Sequence, residues 1–537
     1  MNAKPAGRSG SEGAWVAAII VIAICLLSSF TLTKGGNATN AAASGSGRRS
    51  NVGSSGDASL GSGDQSTTDG GGTIASGDTS SDVSGGGGVA GGGKGGTAGG
   101  GGGAGGGGGT GVAAGGKKPA AQGSGGIIKA AADCKGNGAR ASDVGVTPNS
   151  VEFAATIVKT GIAKDFLLDA QYGMEAVRRA VNQQGGICGR LINVHEDDDG
   201  WNSDNGNQLI QKYISCKCYF GLAVNPSSEG LRTALDSGAI DQAQFPVIGS
   251  DGMLIDQYQH SWIWPVATST HSAAHVIAAD AVGTRGAKKI GIVYDKTYKF
   301  GKEGDASLVG AATRRGATVV ANIDVSAGQT SYKTDVTRFF NACGGGSANF
   351  SNCDFVAMLL EPSTADQWVR DGGLGDGTKH PTLGIGVPQP LFLDSFANNC
   401  GAPCNGLQAW TGFKPPLPPF DTDANVAAYK SAVKAVNSAA DTNNPEVEGA
   451  YQGMLLLVQA LAEAGPTPTR QGVKQILDSI TVDTGLGPAA KFNGSNHFAS
   501  TAVQPFQAVY NNNDFTGWRF PNGAGFIPDP EVDKDMP

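Results

Sequence analysis

The chain has 537 residues, 85 of them glycine, and a formal net charge of −8. That much glycine is incompatible with one uniform globular domain, so the chain must divide into segments of different character. The negative balance argues against nucleic acid or anionic lipid as a partner.

Residues 1–14 form a short N-terminus carrying Lys4 and Arg8. Trp15–Leu32 follows, uncharged and apolar apart from Ser28, Ser29 and Thr31. At about 18 residues it reaches the length that spans a bilayer and exceeds a usual signal-peptide core. The two basic residues before it place the N-terminus inside and the remainder outside. The reading is a signal-anchor; cleavage after the small residues Ala41-Ala42-Ala43 is the alternative, and would leave a secreted protein. Residues 33–126 are then a disordered linker, roughly two-fifths glycine from residue 35 onward. Such a segment cannot bury enough apolar surface to offset its ordering entropy. As a flexible coil it reaches about 50 Å r.m.s..

The folded part is expected over 127–537. Strand-like runs at Val151–Ile157, Leu191–Val194, Tyr219–Val224 and Phe245–Ile248 alternate with helices at Ala170–Val181, Asn207–Ile214 and Glu229–Leu235. The first helix ends at Gly185-Gly186, where two glycines tolerate positive φ. The alternation restarts after Pro265: a helix at Ala273–Val282, a strand at Lys289–Tyr294, a helix at Gly304–Arg314, then strands at Thr318–Val325, Phe355–Leu360 and Thr382–Val387. Ser363 reads as the N-cap of the helix between the last two. Two βαβ series imply two lobes, each a parallel sheet flanked by helices. Near the end, Val447–Ala464 is a long, almost uncharged helix suited to burial. With Cys25 in the apolar segment, eight of nine cysteines remain, an even number that suits disulfides outside the cytoplasm. Cys343 with Cys353 and Cys400 with Cys404 are the local pairs. Cys134, Cys188, Cys216 and Cys218 leave their connectivity open.

Six stretches in order carry a resemblance: Gly185-Gly186-Ile187-Cys188-Gly189-Arg190, the acidic run Glu196–Asp199, Asn225-Pro226-Ser227-Ser228, Pro246-Val247-Ile248, Lys288–Asp295, and Phe300-Gly301-Lys302. Together they resemble the type I periplasmic binding proteins, in particular the branched-chain amino-acid (leucine/isoleucine/valine) binding receptors of ABC importers. The resemblance implies an α/β two-lobed clamp closing on a solute. Lobe 1 would take about 140–267 and 407–480, and lobe 2 about 268–406 and 481–537.

It also implies the site. Ser227 and Ser228, at a helix start, would hold a ligand carboxylate, although either also serves as that helix's cap. Ser250 and Asp251 stand in the next loop, where the family usually has small hydroxyl residues or alanine. Asp251 could accept an ammonium or a hydroxyl, or simply make a turn with Gly252. Phe300 replaces the family's frequent tyrosine, keeping a stacking surface without its hydroxyl. Glu361 is the second-lobe acid for a ligand ammonium, or else a helix cap or a partner of Arg370.

An enzyme would need a nucleophile, base or metal set. The six histidines show no H-E-x-x-H or other metal spacing, and no G-x-S-x-G is present. Asp197–Asp199 lacks the ligand alternation of a calcium loop and reads as a solvated acidic turn. No cofactor, metal or catalytic residue is expected. The sequence reads as a non-catalytic extracytoplasmic solute receptor that works with an ABC permease. The alternative is a ligand-sensing or protein-interaction module that uses the same clamp without transport.

Overall fold

The computed structural model describes residues 123–134, 140–494 and 496–536. The expected membrane segment, and the glycine-rich stretch up to residue 122, lie outside the described residues. Among the described residues no helix is long and apolar enough to cross a membrane.

The first sheet holds β1 (Ser150–Ile157), β2 (Leu191–Asp198), β3 (Leu222–Ala223), β4 (Val247–Ser250) and β5 (Ile263–Pro265), all parallel in the order β2-β1-β3-β4-β5. The second begins with the parallel strands β6 (Lys289–Asp295), β7 (Thr318–Val325), β8 (Phe355–Leu359), β9 (Ile385–Val387) and β10 (Gln408–Thr411). After a small hairpin of β11 (Thr481–Val482) and β12 (Ala490–Lys491), it is completed antiparallel by β13 (Ala502–Asn511) and β14 (Asp514–Arg519), in the order β14-β13-β10-β9-β8-β6-β7. A last short strand, β15 (Ile527–Pro528), pairs with β13. Parallel neighbours need crossovers, and helices supply them, so strands such as β8 are buried along their whole length.

The two-lobed α/β clamp is therefore present, with boundaries that differ from those read in the sequence. β10 belongs to the second sheet, so the chain returns to lobe 1 only after Thr411. Val482, Leu486, Phe492 and Ala499 join the first lobe's core, so lobe 1 keeps the segment up to about residue 499. The folded part also begins earlier than composition suggested. Gly123–Asp133 is a helix whose Ile127 and Ala131 are buried in that core. Cys134 at its end is bonded to Cys188. Cys343–Cys353 and Cys400–Cys404 pair as expected, and Cys216 pairs with Cys218.

Three local readings change. β2 runs on to Asp198, so most of the acidic run is strand rather than turn. The helix expected from Gly304 starts at Lys299, which places Phe300 in its first turn. Glu361, not Ser363, caps the Pro362–Arg370 helix, because Pro362 has no N–H to satisfy and fits the first helical position.

The helix Pro445–Ala464 is buried from Pro445 to Leu461. It approaches its neighbours where side chains are missing. A Cβ at Gly173, on the Ala170–Gln183 helix, would lie 2.1 Å from the Val447 carbonyl oxygen, and one at Gly453 would lie 2.5 Å from that of Gly249. Gly453→Ala should therefore lower the thermal midpoint, by on the order of 1–3 kcal/mol of overpacking, although alanine is worth about 1 kcal/mol more than glycine in an open helix. Gly125→Ala, with nothing within 4 Å, should leave the midpoint unchanged or raise it. Equal effects of the two substitutions in thermal melts would rule the packing account out.

Candidate functional site

The carboxyl ends of the first-lobe strands converge on a buried polar network, where open α/β sheets place their ligands. Past β3, Asn225 accepts from the Ser227 backbone N–H at 3.1 Å and donates to Thr156 Oγ1. Ser227 caps the Ser228–Asp236 helix: its Oγ accepts from the Gly230 N–H at 3.3 Å and donates to Asp199 Oδ1 at 2.9 Å. Past β4, the Asp251 carboxylate accepts from the Ser228 N–H at 3.0 Å, the Gln257 amide at 2.9 Å and the Met253 N–H at 3.3 Å. Asp251 thus bridges two neighbouring loops. Ser250 Oγ and Trp201 Nε1 are buried with no hydrogen-bond partner in the protein.

The second lobe answers with aromatic rings and acids. Trp201, in the loop after β2, packs on Tyr298 with ring centroids 4.3 Å apart and lies 5.9 Å from Phe300. Phe166 meets its edge at 5.6 Å. Glu303, one turn beyond Phe300, accepts from the Ile255 N–H of the first lobe at 2.9 Å, and Lys299 pairs with Asp256. Nearer the hinge, Gln389 after β9 donates to Glu446 at 2.9 Å and accepts from Thr411 at 3.1 Å. The lobes are closed on each other. Between Asp251, Thr270, Gln389, Trp410 and Glu446 there remains about 10 Å³ open to water, room for roughly one molecule.

Burial shapes the electrostatics of this cleft. It pushes the Asp199 carboxyl up to about 7, Glu303 up to about 8 and Glu446 up to about 8, because low-dielectric surroundings disfavour the charged form. Asp295, at the end of β6, rises to about 6 for the same reason. Asp251 and Glu361 shift in the same direction, against the hydrogen bonds that favour their anions.

Of the residues singled out in the sequence, Ser227, Ser228, Ser250 and Asp251 come together, all buried. Phe300 faces Trp201 across the lobes. Glu361 lies on the second-lobe side, near enough to Asp295 and Tyr298 to act on them electrostatically. Its two oxygens accept from the Ser363 N–H at 2.7 Å, the Ser363 hydroxyl at 2.8 Å and the Thr364 N–H at 2.6 Å, so it works as a cap.

The acidic run proves not to be a solvated turn. Asp197 accepts from the Tyr213 hydroxyl at 2.8 Å, Asp198 from the Lys159 N–H at 2.8 Å, and Asp199 is fully buried. Sequence reasoning passed over Trp201, Glu303, Gln389, Trp410 and Glu446. Trp201 follows Asp199-Gly200 directly and could have been suspected as a large ring at a strand's carboxyl end. Glu446 stands more than 190 residues from Asp251, and no local signal joins them.

A pair of open α/β lobes hinged by repeated crossovers, closing on a polar and aromatic cleft, defines the class of clamp-like solute-binding proteins. The chain belongs to the periplasmic binding protein family, whose model matches residues 150–514. Its fold is shared with a possible leucine/isoleucine/valine-binding protein from Rhodopirellula baltica (15% identity, TM-score 0.58, covering 73% of this chain and 99% of that one). It is shared equally with the branched-chain amino acid transporter substrate-binding protein LivJ from Streptococcus pneumoniae, solved with isoleucine (16% identity, TM-score 0.56, covering 71% and 100%). A fatty acid ABC transporter substrate-binding protein from Thermomonospora curvata is also similar (15% identity, TM-score 0.57, covering 74% and 96%). No curated protein sequence matches the chain. The family expected from the sequence is the family found.

The raised Glu303 carboxyl has a consequence with a definite sign. Its folded-state value of about 8 lies above the ordinary 4.5, so folding takes up a proton there. The stability it contributes is complete below about pH 4.5 and is lost as pH rises through about 8. The thermal midpoint should fall between about pH 5 and pH 9, and Glu303→Gln should flatten part of that fall while sparing the Ile255 contact. An unchanged slope in the variant would remove Glu303 from the account.

Proposed function

We propose that this protein is an extracytoplasmic receptor that captures a small polar solute, an amino acid or a related compound, between its lobes and delivers it to an ABC importer. One observation carries the reading. A set of buried hydroxyl and carboxyl groups stands at the first-lobe strand ends (Ser227, Ser228, Ser250, Asp251), where Asp251 shares a cavity with Gln389 and Trp410 of the second lobe and Trp201 meets the rings of Tyr298 and Phe300. Hydrogen-bonding groups on one side and rings on the other suit a solute with a polar head and a compact body. With so little space left in the closed cleft, capture requires the lobes to part and close again by hinge motion. In this proposal residues 15–32 anchor the receptor in the membrane, and the glycine-rich stretch lets it search while staying near its importer.

A second reading, a sensing or protein-interaction module that no longer takes a solute, draws on the same closed cleft. Trp201 there already packs its ring against Tyr298 across the lobes.

A panel of amino acids, amides, small acids and fatty acids separates the two readings. A true solute at a hundredfold excess over its Kd raises apparent stability by about 2.7 kcal/mol, visible in thermal melts. It should also change Trp201 fluorescence. Ser250→Ala should weaken binding by about tenfold, the worth of one hydrogen bond, with little loss of stability. A folded protein that no solute shifts would favour the second reading.

A further inference from the structure

The C-terminal segment folds back on the second lobe against the helix Thr270–Ala279, and its contacts are chemically specific. His271 and His275 are four residues apart on the helix Thr270–Ala279, so their rings share one face, with centroids 4.4 Å apart. Both residues are fully buried. Residues 529–535 cross that face. Asp529, whose side chain has no exposed surface, places Oδ2 3.0 Å from His275 Nδ1, and the Val532 carbonyl oxygen lies 3.0 Å from His271 Nε2. Arg314 and Arg315 hold the segment in place through Glu531 at 2.6 and 2.9 Å.

The ring tautomers decide whether these pairs lack a proton. Ser307 Oγ is 2.7 Å from the Glu303 carbonyl oxygen, which can only accept, and 2.7 Å from His271 Nδ1. When the single hydroxyl hydrogen goes to Glu303, His271 Nδ1 donates to Ser307 and Nε2 is left bare; when it goes to His271, Nε2 donates to Val532 instead. His275 Nε2 likewise faces Asp535 Oδ2 at 3.1 Å, and a neutral ring can donate to Asp535 or to Asp529 but not to both. In the tautomers that donate to Ser307 and Asp535, each ring turns a bare nitrogen toward an oxygen that also has no proton: His271 Nε2 toward Val532, and His275 Nδ1 toward Asp529. A cation at that point satisfies all four groups.

We propose that His271, His275 and Asp529 form a binding site for a divalent transition metal of the zinc class, which clamps the C-terminal segment onto the second lobe, with the Val532 carbonyl oxygen as the fourth donor. The ligand atoms of the three side chains lie within 4.8 Å of one another. The His275–Asp529 separation of 3.0 Å is already close to the spacing of about 3.3 Å between two ligands of a tetrahedral zinc. Imidazole and carboxylate together suit zinc, and acceptors on the far nitrogens (Ser307, Asp535) are what orient ligating histidines. The sequence search for metal spacing missed the site because Asp529 comes from 254 residues downstream of His275.

The test uses full-length, tag-free protein stripped with a chelator and titrated with Zn²⁺, and with Co²⁺ as a coloured substitute. The expected result is one equivalent of metal, a visible Co²⁺ absorption typical of four-coordination, and a rise in thermal midpoint. His275→Gln and the near-isosteric Asp529→Asn should each weaken binding by at least about tenfold. His195→Gln, at an exposed histidine, should leave binding unchanged. Circular dichroism checks folding, and should His275→Gln fail to fold, Asp529→Asn carries the comparison. The proposal is overturned by an absence of stoichiometric binding, or by equal binding in wild type and Asp529→Asn. A segment held by protons alone, more stable at low pH and indifferent to metal, also overturns it.

Discussion

The helix Pro445–Ala464 carries the first lobe, and it does so from inside. Seventeen successive residues, Pro445 to Leu461, are buried, including the acids Glu446 and Glu448. Its apolar length fills the space between the first sheet and the Ala170–Gln183 helix, with Val447, Met454, Leu455 and Leu457 in the shared core. The close approaches at Gly173 and Gly453 decide how near these elements sit, and with that the height of the strand ends that form the cleft floor. At its first turn Glu446 meets Gln389 of the second lobe. One element therefore fixes a core and reaches the hinge side of the cleft.

The closed cleft holds an unusual number of carboxyl groups for its size. Some are fully used: Asp251 spans two loops, and Glu361 satisfies the start of a helix that opens with proline. Others, Asp199, Glu303 and Glu446, carry raised proton affinity because water has been taken from them. An open clamp would return water to the groups that line the interface and ease their ionisation. Closure and protonation are then linked in one cycle, and a solute with hydrogen-bond donors would enter that balance by replacing water at the same groups. The C-terminal histidine cluster sits on the helix whose Thr270 lines the cleft, and Ser307 links His271 to Glu303 through one helix turn.

The parts of the fold legible in the sequence were those set by local periodicity. β1, β6 and β7 fall where alternation and apolar runs placed them, and the glycine pair at 185–186 ends its helix with positive φ at both residues. The hydroxyl loop Ser227-Ser228 was found because a helix start advertises its cap. Asp199 was misread, since three acids in a row look alike in sequence while only one faces the interior. Glu361 was read as a ligand group with capping as its alternative, and the neighbouring Pro362 was the clue that favoured the cap.

Sequence by itself determined the class of the molecule: alternating strands and helices in two series, eight cysteines for four pairs, and a glycine-rich stretch ahead of the folded part. These follow from short-range rules, because periodicity, turn chemistry and composition act over a few residues. Tertiary structure alone decided where the lobes exchange chain, that β10 joins the second sheet, that Trp201 meets Tyr298, and that Asp529 returns to His275. They join residues from about twenty positions apart, in β9 with β10, to more than two hundred and fifty, in His275 with Asp529. Their pairing depends on burial and shape complementarity summed over the whole chain, and no local pattern encodes that sum.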